Sequence, residues 1–295
     1  MKIDIQTLSF VLSICIILQV IALYVQYRIN RSKNGTGWWV MGSISMALGI
    51  LLLLAREINS IELISIMVSN TFVVMGQLFL YIGLVRFLDD KKENRRLIIA
   101  LFVVFLLPFF YYTYIENSYA GRTVVVTTVV AVISFLIAYK LFINKDRSLF
   151  SSTRFLGVVF LAYGCLVMVR VILTLVSSPV SSLFEQSLIQ VLAFLVPFVA
   201  STLWTFGLIL LVNQQLNGEN REAKENLELI FNTIPDAVMI TRLTDGYFVG
   251  INDGFTKLTG YRRDDVMGKS SLDIHLWEDT ENRKKFVSVL NEEDF

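Results

Sequence analysis

Seven apolar runs fill the first 213 residues, at about 5–26, 38–56, 63–87, 97–115, 120–142, 155–176 and 187–213. Each approaches or exceeds the roughly 20 residues that cross about 30 Å of hydrocarbon as a helix. The first, third and seventh are the clearest. The fourth carries Pro108, which is expected to kink it, and a cluster of Tyr111, Tyr112 and Tyr114 suited to a membrane interface. Trp38 and Trp39 fall where an aromatic belt belongs, at the start of the second run. The first run has no extended basic region before it and no small-x-small cleavage site, so it reads as a retained span.

The pattern changes after the seventh run. Leu216, Asn220, Ala223, Leu227, Ile230 and Ile234 are spaced by steps of 4, 3, 4, 3 and 4. That is an a/d heptad seam with one polar layer, and a lone Asn in such a seam fixes register at a cost in stability. Gly218 lies within it and costs roughly 1 kcal/mol of helix propensity, marking a flexible joint. The seam predicts a parallel homodimer through this linker helix. An ordinary amphipathic linker on a monomer is the competing reading, since the seam covers only two heptads.

A third pattern begins at Pro235. Asp236–Thr241 reads as a strand, the Asp245-Gly246 pair as a turn, and Gly246–Asn252 as a second strand, which makes a hairpin. Two short helices follow, closed by Gly260 and Gly268, and a longer amphipathic helix starts at Asp279 or Thr280. The expected fold class is therefore mainly α. It comprises a seven-helix transmembrane bundle (1–213), a coiled-coil linker helix (214–234) and a partial α+β domain (235–295).

That last stretch resembles the first two-thirds of a PAS domain. The resemblance rests on the IPDAV strand entry, on Asn252, Phe255 and the Leu258-Thr259-Gly260-Tyr261 turn, on Gly268, and on the LWEDTENR run. The membrane part is similar to the multi-span sensor regions that precede bacterial sensor histidine kinases and diguanylate cyclases. Here the similarity rests on GWWVMGSISMALGILLLLAR and SNTFVVMGQLFLYIGLVRFL. It implies signal transduction at a bacterial inner membrane, as in two-component systems. A PAS sheet has three further strands, which would lie beyond Phe295. The output domain is accordingly expected to be absent from this chain, whether as a fragment or a natural truncation. Residues 235–295 are expected to be poorly stable alone, with unpaired sheet edges.

Charge adds an orientation. Up to Asn213 the chain has 16 basic and 9 acidic residues; from Gln214 onward it has 10 and 16. A basic membrane part thus joins an acidic tail, and nothing points to nucleic acid. Twelve basic residues crowd the first, third and fifth loops (among them Arg28, Lys33, Lys91, Arg95, Lys140 and Arg147), against Lys2, Arg56 and Arg122 on the other side. The positive-inside rule puts the N-terminus outside and everything after Val212 in the cytoplasm.

Spans two and six both end in a Gly-then-Arg pattern, at Gly49 to Arg56 and Gly164 to Arg170. A parallel repeat of spans one to three and five to seven would explain this, and chance competes with it.

Candidate chemistry is sparse. Cys15 and Cys165 lie in apolar runs and read as packing residues. The sole histidine, His275, has no companion ligands, so no metal site is expected and no cofactor is evident. No phosphate loop or nucleophile elbow occurs, and no catalytic residue is assigned. The better candidates are polar residues inside the spans. Arg170 sits about 9 Å from the end of the sixth span at 1.5 Å per residue. A charge there marks a functional site by default, or it snorkels to the interface. Asn70 and Gln77, seven apart, share a face of the third span. With Arg170 they would line a cavity for a small ligand; the competing role is hydrogen bonding between helices. Arg56 and Glu57 read as an interfacial pair.

The function these readings support is a membrane sensor, the input and transmitter part of a kinase or cyclase. The alternative is a transporter or channel subunit with a regulatory tail.

Overall fold

A computed structural model describes residues 5–54, 62–89, 93–176, 188–242, 244–277, 279, 281–283, 285 and 288–289. Lys2, Arg56 and Glu57 lie outside this set, as does part of the helix expected from Asp279, of which 281–283, 285 and 288–289 are helical.

The fold is mainly α. Seven helices are long and apolar enough to cross a membrane. They are α1 (Ile5–Ile29), α2 (Thr36–Leu54), α3 (Glu62–Asp89), α4 (Arg95–Phe110), α5 (Tyr119–Ile143), α6 (Phe150–Val176) and α7 (Leu188–Thr233). The chain divides into two compact units, residues 1–215 and 216–295.

In the first unit, α2 and α3 pack most closely, and the cause is a register of small residues. Gly35, Gly42 and Gly49 recur every seven residues on α2 and the turn before it; Ser69, Gly76 and Gly83 do so on α3. The two rows run antiparallel and face each other. A Cβ on Gly42 would lie 2.9 Å from the Gly76 carbonyl, one on Gly83 2.7 Å from the Gly35 carbonyl, and one on Gly49 2.8 Å from the Ser69 carbonyl. Where lipid offers no hydrophobic drive between helices, such close backbone approach supplies the packing. Trp39 is buried beside this seam, its ring over Gly83 and 5.1 Å from Phe87. It is part of the helix core, not of an interfacial belt.

The α5–α6 pair uses a different device. Phe142 fills the space at Gly157, and Phe135 that at Gly164. Under a parallel repeat of spans one to three and five to seven, α2–α3 would correspond to α6–α7. The α6–α7 pair has one close approach, Gly207 against Leu156, where α2–α3 has a backbone-to-backbone row.

Pro108 sits in the last turn of α4, and the chain then widens into a π turn at Tyr111–Ile115. A proline removes a donor and crowds the preceding turn, and an extra residue per turn is one way to relieve that. Tyr111 and Tyr114 point outward, while Tyr112 packs on Gly121.

Helix α7 is tied to its neighbours by polar contacts. Gln19 of α1 donates to Ser201 and Thr202, each at 3.2 Å, and the Ser152 backbone N–H of α6 donates to Gln214 at 3.1 Å. Between these lies Trp204, stacked on Phe160 with ring centroids 5.4 Å apart.

In the second unit, β1 (Met239–Thr241) and β2 (Phe248–Ile251) form an antiparallel hairpin with an irregularity between Ile240 and Thr241. The short helices α8 (Asp253–Thr259) and α9 (Arg263–Val266) follow. Gly260 and Gly268 both take positive φ, +79° and +77°, where a side chain would be strained. Phe248, Ile251, Phe255, Val266 and Ile274 form the core.

Candidate functional site

The site is a cavity of about 220 Å³ within the first unit. Its walls come from α1 to α7, all at the end away from the basic loops. Most of the lining is apolar, contributed for instance by Leu12, Ile66, Val73, Phe109 and Leu192. Polar groups come mainly from three helices: Asn70 of α3, Tyr119 and Arg122 of α5, and Tyr163 and Arg170 of α6.

Arg170 is the central group. Helix α6 places it one turn and a half before its end, two turns beyond Tyr163 on the same face. Its guanidinium lies beside Tyr119 and Tyr163. Its Nε is fully buried and has no hydrogen-bond partner among the described residues. No carboxylate of the described residues lines the cavity. Tyr119 also accepts from the Gln190 side-chain amide of α7, at 2.5 Å. Arg122 donates to the Tyr112 carbonyl at 3.3 Å and to the Asn117 side-chain oxygen at 2.8 Å, which braces the π turn against α5.

The sequence candidates separate here. Asn70 and Arg170 line the same cavity. The Asn70 amide donates to the Ile66 carbonyl one turn back at 2.8 Å. Gln77 lies two turns further along α3, buried and outside the lining, with its Oε1 unpartnered among the described residues. Tyr119, Arg122 and Tyr163 belong to the site as well. The signal of Tyr119 and Arg122 was weak, because Tyr and Arg at helix ends usually read as interfacial anchors; Tyr163, midway along α6, reads as an ordinary core aromatic.

Tyr163 links the cavity to α7: its ring meets Trp204 edge-on at 5.4 Å. Pro197 of α7 lines the cavity directly. Having no N–H, it leaves one helical hydrogen bond unmade and locally weakens α7.

A second polar cluster lies at the other end of α3. Arg86 donates from Nε and Nη2 to both carboxylate oxygens of Glu93, each at 2.8 Å, and its guanidinium sits 4.7 Å from the Trp38 ring centre. Glu93 is buried, and this pairing holds its carboxyl down at about 2.

In the second unit, Asn252 carries the local architecture. It is 1% exposed. Its side-chain oxygen accepts from the Val238 and Phe255 amides, both at 2.8 Å; its amide donates to the Ile234 carbonyl at 3.2 Å and the Asp236 carbonyl at 2.9 Å. One side chain thus ties the helix end, β1 and the start of α8. The Tyr261 hydroxyl donates to the Ile274 carbonyl at 2.8 Å, closing the core. His275 is exposed in a shallow surface depression, with Nδ1 3.1 Å from the Leu272 carbonyl and φ at +54°. Beside it, the Ser270 N–H and hydroxyl hold the Asp273 carboxyl below the usual range. Among the described residues, no group of three or more His, Cys, Asp or Glu side chains could hold a metal ion.

No curated protein and no solved structure matches the chain. Residues 225–292 do match the family model of the PAS fold, and Asn252, the hairpin and the two glycine-closed helices all lie inside that stretch.

Proposed function

We propose that this chain is the input and transmitter part of a membrane signal-transduction sensor, of the kind that serves a histidine kinase or diguanylate cyclase. The observation that carries the reading is the extent of α7. It lines the cavity with Leu192 and Pro197 and runs as one helix to Thr233, inside the PAS match. A ligand in the cavity would press on Pro197 directly and on Trp204 through Tyr163. Either contact shifts α7 against α1 and α6. The basic loops favour an N-terminus outside and a cytoplasmic PAS region in a bacterial inner membrane. We assign the chain no catalytic step, metal or cofactor of its own.

The linker seam supports a homodimer. Leu227 and Ile230 are exposed on the single chain, at 68% and 59%, where a partner helix would cover them. Arg221 and Glu225, paired at 2.8 Å, take outer heptad positions.

The test uses the full chain in lipid vesicles with Cys15 and Cys165 replaced by Ser. Single cysteines at Leu227 or Ile230 are expected to cross-link, and those at Glu225 or Asn232 are not. Equal cross-linking at all four positions would remove the dimer. Replacing Asn70 and Arg170 together by Ala is expected to shift the cross-linked fraction at Ile230. No shift would remove the cavity as the input.

A further inference from the structure

The cavity has a chemical polarity that narrows its ligand. The Arg170 guanidinium is permanently charged, and it lies in a mainly apolar chamber that Arg122 also lines and that no described carboxylate enters. Its Nε is buried and unpartnered among the described residues, and Tyr119 and Tyr163 lie beside the same guanidinium. With its Nε unpartnered among the described residues, this arginine keeps a donor for a planar two-oxygen anion. Elsewhere in the lining, Ile66, Val73, Phe109 and Val126 offer hydrocarbon around Asn70. The volume is about 220 Å³. An apolar cavity of about 150 Å³ holds benzene, so simple scaling gives room for about nine non-hydrogen atoms, enough for the eight carbons of octanoate with its carboxylate at the Arg170 side.

The geometry points to a small amphiphile with a carboxylate-type anionic head on Arg170 and an apolar body among α3, α4 and α5. This rests on the sensor reading of the same cavity and names the class of its input. The head chemistry is shared by a free medium-chain carboxylate and by the oxyanion of a bilayer lipid, and the test separates the two sources.

Full-length protein is placed in nanodiscs of phosphatidylcholine alone, and binding of labelled octanoate is compared with that of octanol. Octanoate is expected to bind saturably and at least about tenfold more tightly, as a charge-assisted bidentate contact requires. The Arg170→Gln variant is expected to lose that advantage while octanol binding stays unchanged. Should Arg170→Gln fold poorly, Val126→Trp, which fills the apolar part, is expected to abolish binding of both probes. Adding an anionic lipid to the nanodisc identifies the source. Competition with octanoate points to the lipid head, and its absence to the free carboxylate. Equal binding of octanoate and octanol overturns the proposal, as does octanoate binding that survives both variants. Because this experiment reads binding alone, its failure leaves the sensor reading standing if the cross-linking at Ile230 still responds to the cavity substitutions.

Discussion

At the scale of single residues, polar groups are informative in proportion to how fully they are satisfied. Asn252 uses both acceptor sites and both amide hydrogens inside the second unit. Asn252→Ala would strand two backbone N–H groups and two carbonyls, at a cost of about 2–3 kcal/mol or more. Hydrogen exchange at the Val238 and Phe255 amides in the full chain is expected to accelerate by about 30-fold or more, since 1.4 kcal/mol is a factor of ten. Protection equal to wild type would show that the side chain is dispensable. Glu93 makes a prediction in pH. Its folded carboxyl titrates at about 2, below the ordinary 4.5, so its pairing with Arg86 stabilises the fold fully above about 4.5. That contribution is lost as pH falls through the window from 4.5 to about 2. Thermal melting in detergent is expected to show a smaller drop over this range for Glu93→Gln than for wild type. Parallel curves for the two proteins would remove the role of the pair.

At the scale of elements, the α2–α3 seam shows what small residues do. A methyl group on Gly42 meets the Gly76 carbonyl at 2.9 Å and Leu80 at 3.3 Å, with backbone on one side that cannot swing away. Gly42→Ala and Gly76→Ala are each expected to cost about 1–3 kcal/mol as overpacking. Nothing lies within 4 Å of a Cβ at Gly260, so Gly260→Ala there costs only its strained φ, about 1 kcal/mol. Reversible denaturation in mixed micelles would read the seam variants, and hydrogen exchange in the PAS region would read Gly260→Ala. A seam variant as stable as wild type would mean that the helices separate without penalty. The seam was visible in the sequence only as glycines. Their partners on α3 were not, because nothing in a run of apolar residues says which face meets another helix.

At the scale of the whole molecule, charge asymmetry is the property that acts over distance. The balance of basic over acidic residues up to Asn213, and the reverse after it, predicts a fixed topology. Reporter fusions after Lys33 and after Asp146 are expected to report cytoplasm, and a fusion after Asn117 the outside. The opposite pattern would invert the proposed site, moving the cavity to the cytoplasmic half. It would also move the PAS region outside.

The sequence by itself determined the elements whose signal is local. Seven runs of sufficient length, the polar continuation of the seventh, the Asp245-Gly246 hairpin and the glycine-closed helices follow from neighbours a few positions apart. Arg170 and Asn70 also stood out, because a polar side chain in an apolar run is conspicuous on its own. Only the tertiary structure decided that these two converge with Tyr119 and Tyr163, that Gln77 is left outside, and that Trp39 is a core residue. The physical reason is the solvent. In water, a helix marks its buried face by contrast with a polar one. In a bilayer both faces are apolar, so the contacts are chosen by shape and by the few polar groups that must find partners.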